Sequence, residues 1–295
     1  MFQKNVFTIG DIINELDALF PEVTAQVYDN PGLVIGKRSE ICTGIYVCVD
    51  ILERDVNFCI SEDINLIISH HPLIWDGVKK ITDEDSHSRK IMKLIENGIS
   101  VFALHTNYDC SPYGMCRKYI SELSLSNTEY IEKVPCSELD KEKIDINLRT
   151  TFMNSDAASE YGANTVIDLK NPILKDKLFV NQNFDYLDYG LGVIGDLPIS
   201  QDLSTLASKL QQSFDISDVR LYDTKKDILR VAICPGSGKS AVHAVKEKNA
   251  DVFITGDINH DSWLWLYEEG VSGIFVDHYD AEKHFVTEIK SLLGI

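Results

Sequence analysis

The chain has 295 residues, 44% of them apolar, and a formal net charge of −18. That length exceeds what one hydrophobic core usually organises, so two lobes are expected. The acidity argues against a phosphate backbone as the main partner, since unspecific nucleic-acid affinity comes from clustered Lys and Arg, although a local basic groove stays open; the longest apolar stretch, around 41–52, is too short for a bilayer and holds Asp50.

Seven scattered cysteines without a Cys-x-x-Cys pair indicate neither a disulfide framework nor a zinc ribbon. Together with an N-terminus that lacks a basic-then-apolar pattern, they lead us to expect a cytoplasmic protein.

In chain order, Thr8 precedes Ile12, Ile13, Leu16 and Leu19 at helical spacing, and Pro21 closes that helix. Gly44–Asp50 reads as a strand, followed by a helix or loop. Ile64–Ser69 is a short run rich in β-branched residues, a buried strand ending in His70-His71-Pro72. Neighbouring side chains of a regular strand point to opposite faces, so the two histidines converge on one site only where Pro72 turns strand into loop. One buried and one wet histidine, unrelated to each other, fit the same residues.

Ser88–Asn97 is helical in pattern and ends at Gly98, and Ile99–Leu104 is the next strand, running into His105 and Asp109. This β-α-β-α rhythm predicts a first α/β lobe over 1–122. Residues 123–188 are polar and mixed in charge, and read as a connecting region with a few antiparallel strands. A second α/β lobe over 189–295 follows, with strands at 189–195, 228–234 and 251–255 and helices at 203–214 and 240–249.

A weak repeat links the lobes. Leu94-Ile95-Glu96-Asn97-Gly98-Ile99-Ser100 matches Leu266-Tyr267-Glu268-Glu269-Gly270-Val271-Ser272, and each copy leads into a strand that ends in polar, ligand-type residues. Helix-glycine-strand turns resemble one another in any case, so duplication and coincidence both remain open.

In the second copy that end is Asp277-His278-Tyr279-Asp280-Ala281-Glu282. On a helix the spacing of four puts His278 and Glu282 on one face, as a metal-binding pair or as an ordinary surface pair, and Asp277 also suits an N-cap. Asp109 fits a ligand or an Asx-type turn. Three strand ends carrying His-His, Asp and His-x-x-x-Glu nevertheless make a set able to share two cations, a carboxylate bridging them. Pro235-Gly236-Ser237-Gly238-Lys239-Ser240 imitates a phosphate loop, but Ile233 stands where its first glycine is required; a tight turn or an anion-binding turn remains.

The blocks Ile68–Leu73, His105–Asp109, Gly190–Gly195, Thr255–Asp257 and His278–Glu282 resemble, in order, those of the NIF-three-like proteins, also called GTP cyclohydrolase I type 2 homologues. The resemblance implies a dinuclear metal centre between two related α/β lobes with mixed sheets, in a toroidal homohexamer. It also implies that His71 and Asp109 bind one cation, His70 and His278 the other, and that Glu282 bridges.

Asp277, Ala281 and the bulky Cys110–Met115 segment depart from the family pattern without removing a ligand, so they bear on pocket shape and substrate. His105, His260 and His284 lie near the motifs as candidate partners of the metal ligands or proton carriers, with an ordinary hydrogen-bonded histidine the preferred reading of His284. Zinc, iron, manganese, cobalt and nickel all suit mixed imidazole and carboxylate ligands. The expected function is metal-dependent hydrolysis of a nucleotide-like substrate; the alternative is a non-catalytic hexameric scaffold or metal-handling factor.

Overall fold

Thr8 starts the first helix by accepting from Asp11 N at 3.2 Å, while its own N–H donates to the Asp11 carboxylate at 2.8 Å. This reciprocal cap satisfies two donors that a helix terminus otherwise leaves open. In the computed structural model, which describes residues 7–135, 140, 143 and 188–294, the helix is α1 (Ile9–Leu19). The chain forms two compact units: among the described residues, one contains 7–108, 140, 143 and 285–294 and the other 109–135 and 188–284.

The first unit continues with β1 (Gly32–Ile35), β2 (Ile45–Cys48), α2 (Glu53–Ser61), β3 (Leu66–Ser69), α3 (Ser86–Glu96) and β4 (Ser100–Ala103). Its sheet runs β1-β4-β3-β2, with β2, β3 and β4 parallel and β1 antiparallel. β3 and β4 are buried at every position, as parallel strands covered on both faces should be. α4 (Thr106–Asp109) then leads from one unit to the other.

The second unit contains α5 (Met115–Leu123), β5 (Ser126–Lys133), β6 (Gly190–Gln201), α6 (Leu203–Phe214), β7 (Val219–Tyr222), β8 (Ile228–Cys234), α7 (Val242–Glu247), β9 (Val252–Thr255), α8 (His260–Glu268), β10 (Ser272–Val276) and α9 (His278–Glu282). The sheet order is β5-β6-β8-β9-β10-β7, with β8, β9 and β10 parallel and every other pairing antiparallel.

Alternate residues of these strands enter two cores. Val231, Ile233, Val252, Ile254, Ile274 and Val276 pack with residues of α5 and α6, whereas Ala232, Cys234 and Phe253 pack with residues of α7 and α8. That is the period-two division of a sheet with helices on both faces. α10 (His284–Leu293) follows, and from Phe285 onward it belongs to the first unit. Of the region read as a connection over 123–188, β5 lies in the second sheet, and nearly all of the remainder falls outside the described residues.

The repeat seen in sequence extends to topology. β7-β8-α7-β9-α8-β10, ordered β7-β10-β9-β8 in space, repeats β1-β2-α2-β3-α3-β4, ordered β1-β4-β3-β2. The turns agree bond for bond. Gly98 and Gly270 have φ of +65° and +77°, Ile99 N donates to Leu94 O and Val271 N to Leu266 O, each at 2.9 Å. Ser100 N and Ser272 N then donate to Asn65 O and Asp251 O at 2.9 and 2.8 Å, which sets the same register in both sheets. The architecture is thus α/β, with two mixed sheets built on one plan.

Candidate metal centre

In both units the chemistry gathers at the carboxyl ends of the parallel strands, the usual ligand edge of an α/β sheet. After Ser69, the His70 and His71 amides still donate to Cys48 O and Val49 O, both at 3.0 Å. Ser69 Oγ donates to His71 O at 2.8 Å and tightens the turn. The two rings therefore lie with centroids 5.0 Å apart instead of on opposite faces. His105, at the end of β4, brings a third ring 5.2 Å from His70 and 5.5 Å from His71.

These three imidazoles share an orientation that suits a ligand. His70 Nδ1 lies 2.7 Å from Leu104 O, His71 Nδ1 2.8 Å from Asp50 Oδ1, and His105 Nδ1 2.8 Å from Asp29 Oδ1. An oxygen acceptor takes the Nδ1 proton in each case, which leaves the Nε2 lone pair as the donor face, as in carboxylate-histidine-metal arrangements. One ligand atom from each of the three lies within 4.8 Å of those of the others. Asp29 is itself anchored: Thr106 N donates to its second oxygen at 2.9 Å, as does the Thr106 hydroxyl. The His105 and Thr106 bonds hold the Asp29 carboxyl below its ordinary value although burial opposes them.

The second unit carries the carboxylates. Asp277 caps α9 by accepting from Tyr279 N at 3.1 Å, and this sets His278 and Glu282 one turn apart. His278 Nδ1 lies 2.7 Å from Asp257 Oδ2, and its Nε2 lies 3.1 Å from Glu282 Oε2. With its Nδ1 proton given to Asp257, the ring turns a lone pair toward a carboxylate. Either a second proton or a shared cation relieves that clash, so the donor chemistry fits a metal.

Glu282 is buried, and its other oxygen rests on Gly236, where a Cβ would overlap Oε1 and come within 3.2 Å of His278 Nε2. The glycine-rich stretch that imitates a phosphate loop is thus a tight turn that makes room for this carboxylate. Asp109 closes α4, half-buried. Burial first, and then the Asp109 charge, push the Cys116 thiol up, so it stays protonated and supplies no thiolate.

The remaining candidates are placed differently. His260 opens α8, is exposed and belongs to neither donor group. His284 is buried, with Nε2 3.3 Å from Met115 O and its ring edge-on to Tyr119 and Phe214.

A sequence model of the family described as Duf34/NIF3 (NGG1p interacting factor 3) matches residues 7–295. The chain belongs to the NIF3 family. Among its relatives, a Staphylococcus epidermidis protein named GTP cyclohydrolase 1 type 2 homolog is 29% identical, with 92% of this chain and 89% of that one aligned. A Staphylococcus aureus protein of the same name is 28% identical over 97% of this chain and 92% of its own length. The crystal structure of a Staphylococcus aureus hypothetical protein superposes with TM-score 0.73 at 28% identity, covering 98% of this chain and 92% of that one. A Bacillus cereus protein related to NIF3 shares the fold at TM-score 0.74 and 22% identity, covering 99% and 93%.

Three residues that sequence reasoning left out shape this NIF3 site: Asp29, Asp50 and Asp257, the acceptors behind three of the histidines. Such partners typically contribute about 10- to 100-fold to metal affinity. Asp257→Asn is accordingly expected to weaken metal binding by about that factor while the fold stays intact. A competitive chelator titration checks it; wild-type affinity in the variant would remove Asp257 from the site.

Proposed function

We propose that this NIF3 protein holds two divalent cations through His70, His71, Asp109, His278 and Glu282 and hydrolyses a nucleotide-like substrate. The observation that carries this reading is the set of imidazoles whose Nδ1 atoms each meet an oxygen acceptor, which selects the tautomer in which Nε2 is the metal-donor atom. The donor groups complement one another in chemistry: three imidazoles in one unit, and an imidazole with carboxylates in the other. His71 with Asp109 would hold one cation and His70 with His278 the other, and Glu282, with two oxygens, would be shared between them.

Cations in such a site lower the pKa of water and stabilise negative charge as it develops. The chain's own groups do the rest. His105, held through Nδ1 by Asp29, presents Nε2 to accept or return a proton, and Asp257 keeps His278 in one tautomer. The relatives named GTP cyclohydrolase 1 type 2 homolog favour a purine nucleotide, in which one water adds to the imidazole carbon and opens the ring to a formamide, and a second water hydrolyses the formamide to release formate.

The test is metal analysis of protein purified without chelator, with turnover of GTP and a phosphoester panel by wild type and Glu282→Ala. Two cations per chain and activity lost in the variant are expected. A metal content near zero would sink the dinuclear reading, and full occupancy without turnover of any substrate would favour the scaffold or metal-handling alternative.

We also read the protein as a cytoplasmic homohexamer. The six described cysteines are all free, as a reducing compartment requires, and no helix among the described residues is long and apolar enough to cross a membrane. Light scattering should return six times the chain mass of 33.2 kDa; a monomer would exclude the assembly.

A further inference from the structure

Two large aromatic side chains stand in solvent beside the histidine cluster of the first unit. Tyr28 is 63% exposed and Trp75 46%, with their ring centroids 6.3 Å apart and their planes tilted by 36°. Trp75 meets the His105 ring edge-on at 5.2 Å. Exposing this much aromatic surface is unfavourable unless something covers it in use.

Neither ring sits on a loose loop. Around Tyr28, Gln26 N donates to Thr106 Oγ1 at 2.9 Å and Asp29 accepts from His105 and Thr106. Asn30 Nδ2 donates to Ile74 O at 2.7 Å, which ties the Tyr28 loop to the residue before Trp75. These bonds anchor the backbone beside Tyr28 and before Trp75, and they do so without burying either ring.

We propose that Tyr28 and Trp75 form a stacking face for the flat heteroaromatic ring of a nucleotide, and hold that ring next to the histidine cluster. The proposal rests on the nucleotide-hydrolase reading and deepens it by assigning the group that binds the base. With centroids 6.3 Å apart and planes tilted by only 36°, the two rings lie side by side closely enough to offer a flat ring neighbouring aromatic surfaces to stack on. Stacking tolerates any base, because every base has a π-face, so the face selects a ring without specifying its edge.

The test is calorimetric titration of full-length protein with guanosine monophosphate and, separately, ribose 5-phosphate, for wild type, Trp75→Ala, Trp75→Phe and Tyr28→Ala. Wild type should prefer the nucleotide. Trp75→Ala should weaken its binding by about 5- to 150-fold, the range of base-on-aromatic stacking, and leave ribose phosphate binding unchanged. Trp75→Phe should restore most of the loss, which separates stacking from misfolding, and metal content should match wild type throughout. Equal nucleotide affinity in wild type and Trp75→Ala, or no preference of wild type for the nucleotide over ribose phosphate, would overturn the proposal while leaving metal binding and hydrolysis standing. Nucleotide binding that depends on Trp75 in protein without metals would do the reverse, keeping the stacking face and removing the hydrolase.

Discussion

If Glu282 ligates metal as proposed, Gly236→Ala is expected to lower metal content, and to destabilise the protein by about 1–2 kcal/mol through backbone strain. Gly236 has φ +65°, the left-handed region that a side chain disfavours, and its Cβ would overlap Glu282 Oε1. The turn has little room to retreat, because Gly236 O accepts from both Gly256 N and Asp257 N at 3.0 Å, and Gly256 itself packs against that oxygen. The carboxylate must therefore move, and in the proposed site it is the ligand given the bridging role.

Gly98→Ala separates strain from site. Its φ is also +65°, but a Cβ there meets nothing within 4 Å. It should show a similar drop in stability with full metal content. Thermal unfolding and metal analysis of the two variants decide the matter: wild-type occupancy in Gly236→Ala would mean that Glu282 tolerates displacement or binds no metal.

The legible part of this molecule is the part whose signal is local. β8 appears in the sequence with its observed bounds because a segment of seven, apolar except for Arg230, is enclosed by turn residues, and α6 likewise because Asp202 accepts from Thr205 N at 2.9 Å to start it. The edge strands β1 and β7 were missed. Each has four residues, with two of them half-buried in β1 and none fully buried in β7, so no alternation develops. α5 was missed as well, since its capping position is a glycine without a side-chain bond.

At the site, the histidines and Glu282 were readable because few other roles explain such residues at strand ends. Asp29, Asp50 and Asp257 were not, because an aspartate in a turn has an ordinary local use. Their distinguishing feature is a partner 76, 21 and 21 residues away in sequence. Gly236 was legible as a turn residue, but the carboxylate it accommodates lies in another element. Duplication could not be decided from one seven-residue match. It is supported by the sheet order, a property of pairings between strands that no single segment contains.

His70→Ala and His71→Ala are expected to abolish metal binding alike yet to differ sharply in the stability of metal-free protein. His70 is 0% exposed and packs against Tyr108 and Phe285, with ring centroids at 6.1 and 5.1 Å. Removing it leaves a cavity and a Leu104 carbonyl without its donor, so the loss should be about 2–4 kcal/mol, in the range of large-to-small core substitutions. His71 has a side chain 26% exposed and is bonded to an exposed Asp50 carboxylate, so its loss should be about 1 kcal/mol or less.

Chemical denaturation in excess chelator measures the difference, and equal losses would contradict the assigned burial. The contrast follows from where the strand ends. The residue just past β3 still lies within the core, where a backbone carbonyl fixes its tautomer, and the next one has reached solvent, where only a carboxylate can do so. One buried and one wet histidine, which the sequence left as an alternative to a shared site, is therefore also the arrangement by which adjacent residues turn two Nε2 atoms toward the same place.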